Sequence, residues 1–166
     1  MLGYSLDLKG SEYYTIYIRE ISSNKQVTDK IEDTTGGITF SLDDKFIFYS
    51  KLDQNHRPRK IFRHKIGDLV KNDELIFEEK SEAFSVGLSL SSDERFFFIN
   101  TSDHNTSEQY YFASNEEKPK PKLIKKRKKG TIYSVNSWNG YFYNHTNENA
   151  EDFKIDICDD LSNQNW

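Results

Sequence analysis

The sequence predicts an all-β protein, a partial β-propeller of about three four-stranded antiparallel blades whose ring is not closed. Twelve phenylalanines and ten tyrosines are spread over short segments that Gly, Asn, Asp and Ser separate, a pattern typical of strands joined by turns. A ten-residue segment at 41–50 (SLDDKFIFYS) returns at 91–100 (SSDERFFFIN), a period of 50 residues. Because propeller blades repeat every ~40 to 50 residues, this period predicts stacked blades.

The N-terminal segment predicts the outer part of an earlier, incomplete blade. Tyr14, Ile16 and Ile18 alternate with smaller or polar side chains, as a strand with two unlike faces requires. Strands are therefore expected at residues 4–8 and 13–21.

Each later repeat opens with a predicted β-hairpin. Apolar runs at 38–40, 86–90 and 132–135 enter polar turns and leave as aromatic runs, the third copy being the weak match at 136–144. The turns contain residues that favour tight turns, namely Asp43 with Asp44, Ser92 with Asp93, and Asn139 with Gly140. Third strands follow at 60–63, 109–112 and 152–155, and fourth strands at 75–77 and 122–124.

Residues 69–79 have too few apolar side chains at helical spacing for a helix, so a loop followed by a strand is expected there. These elements divide the chain into a partial blade at 1–33, blades at 34–80 and 81–130, and a partial blade at 131–166. Propellers close with ~4 to 8 blades, so this arc is predicted to leave an apolar sheet face exposed at each end.

Composition limits the class of protein. The chain has 166 residues, 35% hydrophobic and 30% charged, which suits one soluble domain. No apolar run approaches the ~20 residues of a membrane span, and no N-terminal secretion signal is visible, so a cytoplasmic location and no membrane partner are expected. Cys158 is the single cysteine, which excludes an internal disulfide and a cysteine-rich zinc site.

The motifs of common enzymes are missing. No two of the eight glycines are four or five residues apart, which excludes the Gly-x-Ser-x-Gly elbow and the standard P-loop. His56, His64, His104 and His145 lack zinc-site spacing and are interpreted as loop and surface residues. Carboxylate pairs such as Asp43/Asp44 and Asp159/Asp160 lie in turn-like sequence. No catalytic residue, cofactor or metal site is predicted.

The run at 118–130, KPKPKLIKKRKKG, contains eight basic residues. A solvated edge strand, protected by lysines from pairing with other edges, is the favoured interpretation. Contact with a polyanion is the alternative. Nucleic acid is not expected as the main partner, because the net charge is -4 and the pI about 5.6.

Several segments together resemble one known family. Residues 4–21 (YSLDLKGSEYYTIYIREI), 34–67 (TTGGITFSLDDKFIFYSKLDQNHRPRKIFRHKIG) and 91–112 (SSDERFFFINTSDHNTSEQYYF) are similar to the propeller of the prolyl oligopeptidase family of serine peptidases, above all its oligopeptidase B branch. Residues 145–155 (HTNENAEDFKI) resemble a later strand of that propeller. The likeness is loose between 113 and 130.

The resemblance implies an enzyme in which a seven-bladed propeller covers an α/β-hydrolase domain and admits only short peptides. In the oligopeptidase B branch, cleavage after Arg or Lys is implied. The hydrolase domain with its Ser, Asp and His is missing from this sequence, so the chain alone is expected to be inactive. Two alternatives stay open: a separate chain that supplies the catalytic half, and a stand-alone β-repeat interaction module that binds a partner or self-associates.

Overall fold

The computed structural model describes residues 1–162 and Trp166, and strands dominate its regular structure. A single turn of 3₁₀ helix, Val70–Asn72, is the one helical segment in that part of the chain, and no helix there is long and apolar enough to cross a membrane. The fourteen strands are β1 (Leu2–Leu6), β2 (Tyr14–Glu20), β3 (Lys25–Thr34), β4 (Thr39–Phe40), β5 (Phe46–Leu52), β6 (Pro58–Lys65), β7 (Glu74–Glu78), β8 (Ser85–Leu90), β9 (Phe96–Ser102), β10 (Ser107–Ala113), β11 (Lys122–Lys125), β12 (Tyr133–Trp138), β13 (Tyr141–Thr146) and β14 (Lys154–Cys158).

The strand pairs with a described register are antiparallel, and the chain forms two compact units, Met1–Leu88 and Ser89–Trp166. Fourteen strands in the described residues are fewer than the ~16 of a ring of four four-stranded blades, which confirms the partial propeller.

The first unit contains two stacked groups of strands. One sheet has the order β1-β2-β3-β5-β6-β7, with β4 paired to β5. A single residue pair, Thr34 with Lys51, joins β3 to β5, so β1–β3 and β4–β7 can face each other. Their core consists of Ile16, Ile18 and Ile31 from one group against Ile47 and Tyr49 from the other.

The second unit contains most of the sheet with the order β11-β10-β9-β8, whose strand β8 begins before Ser89, and the sheet β12-β13-β14. Phe98 and Ile124 from the first sheet pack with Tyr133, Val135 and Phe142 from the second. Side chains of β10 also bond the backbone of β12: Ser107 Oγ bridges the N–H and C=O of Tyr133 at 2.7 Å each, and the Gln109 amide bonds the N–H and C=O of Val135.

The predicted repeat recurs in the hydrogen bonds of its turns. Ser41 Oγ donates to Asp43 at 2.7 Å and accepts the N–H of Phe46 at 2.9 Å. Fifty residues later, Ser91 Oγ donates to Asp93 at 2.8 Å and accepts the N–H of Phe96 at 3.0 Å. In the third copy both turn residues, Asn139 and Gly140, have positive φ, as a two-residue hairpin loop requires.

One strand is absent from the sequence prediction and two are displaced. β3 was not expected, β1 spans Leu2–Leu6 rather than residues 4–8, and β14 spans Lys154–Cys158 rather than residues 152–155. The polar composition of β3 (KQVTDKIEDT) hides its alternation, because Asp29 occupies an inward position between Val27 and Ile31.

Candidate functional site

The four histidines do not form a cluster, and one of them was misjudged from sequence. His64 lies in β6 with 0% of its surface exposed, so it is not a surface residue as expected. His56 contacts the Tyr13 ring and His145 stacks on Phe153. In the described part of the chain, no group of three or more His, Cys, Asp or Glu side chains is arranged to hold a metal ion.

Two carboxylates flank the buried ring of His64, and one of them is hydrogen-bonded to it. Nδ1 lies 2.6 Å from Asp73 Oδ1, and Nε2 lies 3.2 Å from Asp29 Oδ2. The Tyr49 hydroxyl donates to Asp73 Oδ2 at 2.7 Å, and burial together with this bond raises the pKa of Tyr49 far above its ordinary value. The Gly67 N–H donates to Asp29.

This cluster connects β3, β5 and β6 with the turn after the 3₁₀ helix, and it is structural. A base held by a carboxylate is half of a catalytic triad, which also needs an accessible hydroxyl on the other ring nitrogen. Here that nitrogen faces Asp29, and the ring has no solvent access.

The acidic residues singled out from sequence lie in turns. Asp43 accepts bonds from Ser41 and from Lys45, which lower its pKa to about 2. Burial alone would raise the pKa of Asp93, but bonds from Ser137, Arg95 and Ser91 lower it to about 2. Asp160 accepts the backbone N–H and the hydroxyl of Ser162.

The basic run at 118–130 contains the edge strand β11. Arg127 is held by Glu108, with Nη2 and Nε at 2.7 and 3.0 Å from Oε2. Lys125 pairs with Glu148, and Lys128 lies 3.9 Å from the same carboxylate. Lys125, Arg127 and Lys128 of the run therefore already form ion pairs within the fold.

A cavity of about 250 Å³ lies inside the first unit. Its walls are largely apolar, with Phe48, Ile61 and Val86 among them, and the hydroxyls of Thr35 and Ser50 add polar groups. An open groove of similar volume is lined by Glu12, Tyr14, Thr35, Leu52 and His56. Neither is lined by a buried charged side chain that could fix the orientation of a charged ligand.

One face of β1 and β2, here called the N-terminal face, is an exposed and partly apolar surface of the first unit. Tyr4 pairs with Tyr17 across the strands, and their rings stack at 5.4 Å. Leu2 and Leu6 lie on the same face and are 48% and 44% exposed.

The second unit has an equivalent surface on β12–β14, here called the C-terminal face. Cross-strand pairs place Tyr143 beside Ile157, and His145 beside Ile155. Ile155 and Ile157 are 64% and 52% exposed, and Trp138 on the same face is 57% exposed. Apolar faces of this kind in a soluble protein mark contact surfaces.

Comparison with known proteins assigns this architecture. The family model described as the N-terminal β-propeller domain of prolyl oligopeptidase matches residues 1–166. The chain belongs to the prolyl oligopeptidase family. The resemblance inferred from residues 4–21, 34–67 and 91–112 is thus confirmed.

Individual relatives point to one branch of the prolyl oligopeptidase family. Protease 2 of Moraxella lacunata is 31% identical over 167 residues, which covers 98% of this chain and 24% of that protein. Oligopeptidase B from Leishmania major superimposes with a TM-score of 0.90 at 26% identity, covering 96% of this chain and 24% of that one. Oligopeptidase B from Trypanosoma brucei, with covalently bound antipain, gives a TM-score of 0.89 at 26% identity.

The chain therefore spans about a quarter of the length of these prolyl oligopeptidase relatives. It corresponds to part of their N-terminal propeller. The blade count predicted that apolar sheet faces would be exposed. The strand register identifies the residues that form the two faces described here.

Proposed function

We propose that this chain forms part of the substrate-gating propeller of a serine oligopeptidase that resembles oligopeptidase B and cleaves short peptides after Arg or Lys. The observation that supports the proposal is the match of all 166 residues to the propeller domain, beside the much greater length of the relatives. The chain contributes a rigid wall, and the Ser, Asp and His of the hydrolase domain lie elsewhere.

The division into blades at 1–33, 34–80, 81–130 and 131–166 belongs to this proposal. The strands β4–β7, β8–β11 and β12–β14 fall within the last three ranges, and β3 ends at Thr34. A cytoplasmic location is also part of it, supported by the buried, unpaired Cys158. Cell fractionation tests the location.

The chain alone is proposed to be inactive. In the described residues, the one histidine bonded to carboxylates has no serine hydroxyl at its other nitrogen, and acyl transfer requires an activated nucleophile. The purified chain should not hydrolyse an Arg-Arg fluorogenic peptide. Turnover that a serine-directed inhibitor abolishes would contradict the proposal.

A chimera tests the gating role directly. This chain replaces the matching quarter of Leishmania major oligopeptidase B, and the chimera is assayed on the Arg-Arg peptide and on a folded protein carrying an exposed Arg-Arg segment. We expect cleavage of the peptide and none of the folded protein. Equal cleavage of both would show that the chain does not act as a size filter.

Self-association, or association with a separate catalytic chain, is a second candidate that the two exposed faces favour. A second copy would cover apolar surface that a lone chain leaves in water. Sedimentation should then detect a defined oligomer, lost in the double variant Ile155→Lys/Ile157→Lys. The matched control is Leu42→Lys/Leu69→Lys, at exposed leucines outside both faces. A monomeric wild-type chain would contradict self-association.

A further inference from the structure

The basic run leaves a group of lysines that the fold does not use. Lys118, Lys120, Lys122, Lys126 and Lys129, here called the lysine patch, are all exposed. The ion pairs found among the described residues use the other three basic side chains of the run: Arg127 with Glu108, and Lys125 and Lys128 with Glu148. The five patch lysines take part in none of those pairs.

Protection of the sheet edge does not account for this patch. Lysine on an edge strand opposes pairing with another edge, but only Lys122 of the five lies within β11. The other four flank the strand. Their mutual repulsion is unfavourable, and none of the ion pairs found in the described part of the chain includes them.

The edge strand β7 of the first unit shows that an edge position in a sheet does not demand lysine. β7 (ELIFE) and β11 (KLIK) are both edge strands with an exposed leucine, Leu75 and Leu123. The charges of β7 are acidic and are compensated within their own sheet: Glu74 by Arg63 at 2.7 Å, and Glu78 by Lys60 at 3.5 Å. In β11 the sign is reversed: Lys125 pairs with Glu148, but Lys122 takes part in none of the ion pairs found among the described residues.

We propose that the lysine patch docks an extended acidic segment of a partner protein. Pro119 and Pro121 restrict the backbone before β11 to extended conformations, which lowers the entropy lost when an extended partner binds. Exposed Leu123 lies between the lysines, 41% accessible. It offers apolar contact to a segment whose acidic residues flank an apolar one. This inference goes beyond the gating role and does not depend on it.

The same residues argue against single-stranded nucleic acid as the partner. Proteins that bind single strands stack the bases on aromatic side chains, and residues 118–130 contain none.

Fluorescence anisotropy of a labelled peptide tests the proposal on the full 166-residue chain. The probe is a fluorescein peptide of about twelve residues in which glutamates flank a central leucine, a length that can follow the extended patch. The patch variant is Lys118→Glu/Lys122→Glu/Lys126→Glu. The control variant, Lys9→Glu/Lys25→Glu/Lys71→Glu, makes the same change in net charge at exposed lysines elsewhere. Circular dichroism shows that both variants fold.

We expect binding to weaken about tenfold or more in the patch variant and to stay within about twofold in the control. Binding should also weaken as NaCl rises from about 50 to about 300 mM, because exposed charges are screened. No binding to wild-type chain, equal loss in both variants, or tighter binding of a single-stranded oligonucleotide of the same charge would each overturn the proposal.

Discussion

At single positions, backbone conformation decides which substitutions the chain accepts, and two glycines illustrate the extremes. Gly36 has φ +84°, and a Cβ there would lie 2.9 Å from Ser5 Oγ and 2.9 Å from Tyr14 Cγ. Gly87 lines the cavity of the first unit, and a Cβ there would meet no atom within 4 Å.

Gly36→Ala should therefore destabilise the protein by about 2 kcal/mol, through strain at positive φ and steric overlap. Gly87→Ala should stabilise it by about 0.5 kcal/mol, because alanine restricts the unfolded chain without a clash. Urea denaturation of the two variants measures both free energies. A similar effect from both would show that local backbone geometry is not the cause.

A second residue-scale feature is the buried hydroxyl of Tyr133. It accepts the N–H groups of Gln109 at 2.9 Å and Lys125 at 3.2 Å and donates to the C=O of Lys125. Burial, stronger than the opposing bonds from these N–H groups, raises its pKa to about 12.

Tyr133→Phe should cost about 2 kcal/mol, since it leaves buried backbone groups without partners. Tyr4→Phe is the matched control, because the Tyr4 hydroxyl bonds only the exposed Gln26 side chain among the described contacts. That change should cost less than about 0.5 kcal/mol. Thermal unfolding compares the two, and equal losses would argue against the buried network.

At the scale of elements, the turn between β8 and β9 is fastened to β12. Asp93 accepts the Ser137 hydroxyl at 2.7 Å and Arg95 Nε at 2.8 Å. The equivalent Asp43 makes its bonds within its own turn, to Ser41 and Lys45. Asp43 thus stabilises its own turn, whereas Asp93 stabilises its own turn and also connects that turn to β12.

The lowered pKa of Asp93 predicts the acid sensitivity of this connection. The ionised carboxylate stabilises the fold, so its contribution is complete above the ordinary pKa of 3.8 and is lost as pH falls through about 2. Asp93→Asn should lower the melting temperature at neutral pH. It should also make the fall in melting temperature between pH 3.8 and about 2 shallower than in the wild-type chain. Asp43→Asn should lower the neutral melting temperature less. A wild-type decline preserved in Asp93→Asn would contradict the assignment.

The elements differ in how far sequence reveals them, for physical reasons. β5 and β9 are visible because aromatic and β-branched residues fill both faces of a central strand. β3 is hidden because one of its inward positions is Asp29, a polar side chain that can be buried there because the Gly67 N–H and the His64 ring lie against its carboxyl group. The same pairing explains the misjudged histidine, since residues 29, 64 and 73 are distant in sequence and no local pattern connects them.

At the scale of the whole molecule, each compact unit has a core of its own, and Cys158 reports on the second. The thiol is buried among Phe98, Tyr133, Phe142 and Leu161, and burial raises its pKa. Both effects slow reaction with thiol reagents.

Native chain should react with a disulfide reagent about 100-fold more slowly than chain in urea, because labelling then requires opening of that core. The absorbance change on Cys158 labelling, followed by stopped flow where the reaction is fast, measures the ratio of the two labelling rates. Rapid labelling without urea, together with a circular dichroism spectrum that still shows strands, would indicate that these 166 residues do not assemble the second core.

Adjacent side chains on β9 point to opposite sides of their sheet. Phe98 belongs to the core shared with β12 and β13, whereas Phe97 lies outside that cluster and contacts the Phe112 ring at 5.3 Å. Inserting one residue into β9 would exchange both environments at once, because the side-chain period of a strand is two. Changes in chain length are consequently tolerable in connections such as residues 114–121, and a single-codon insertion scan across 91–121 should divide sharply at the ends of the strands.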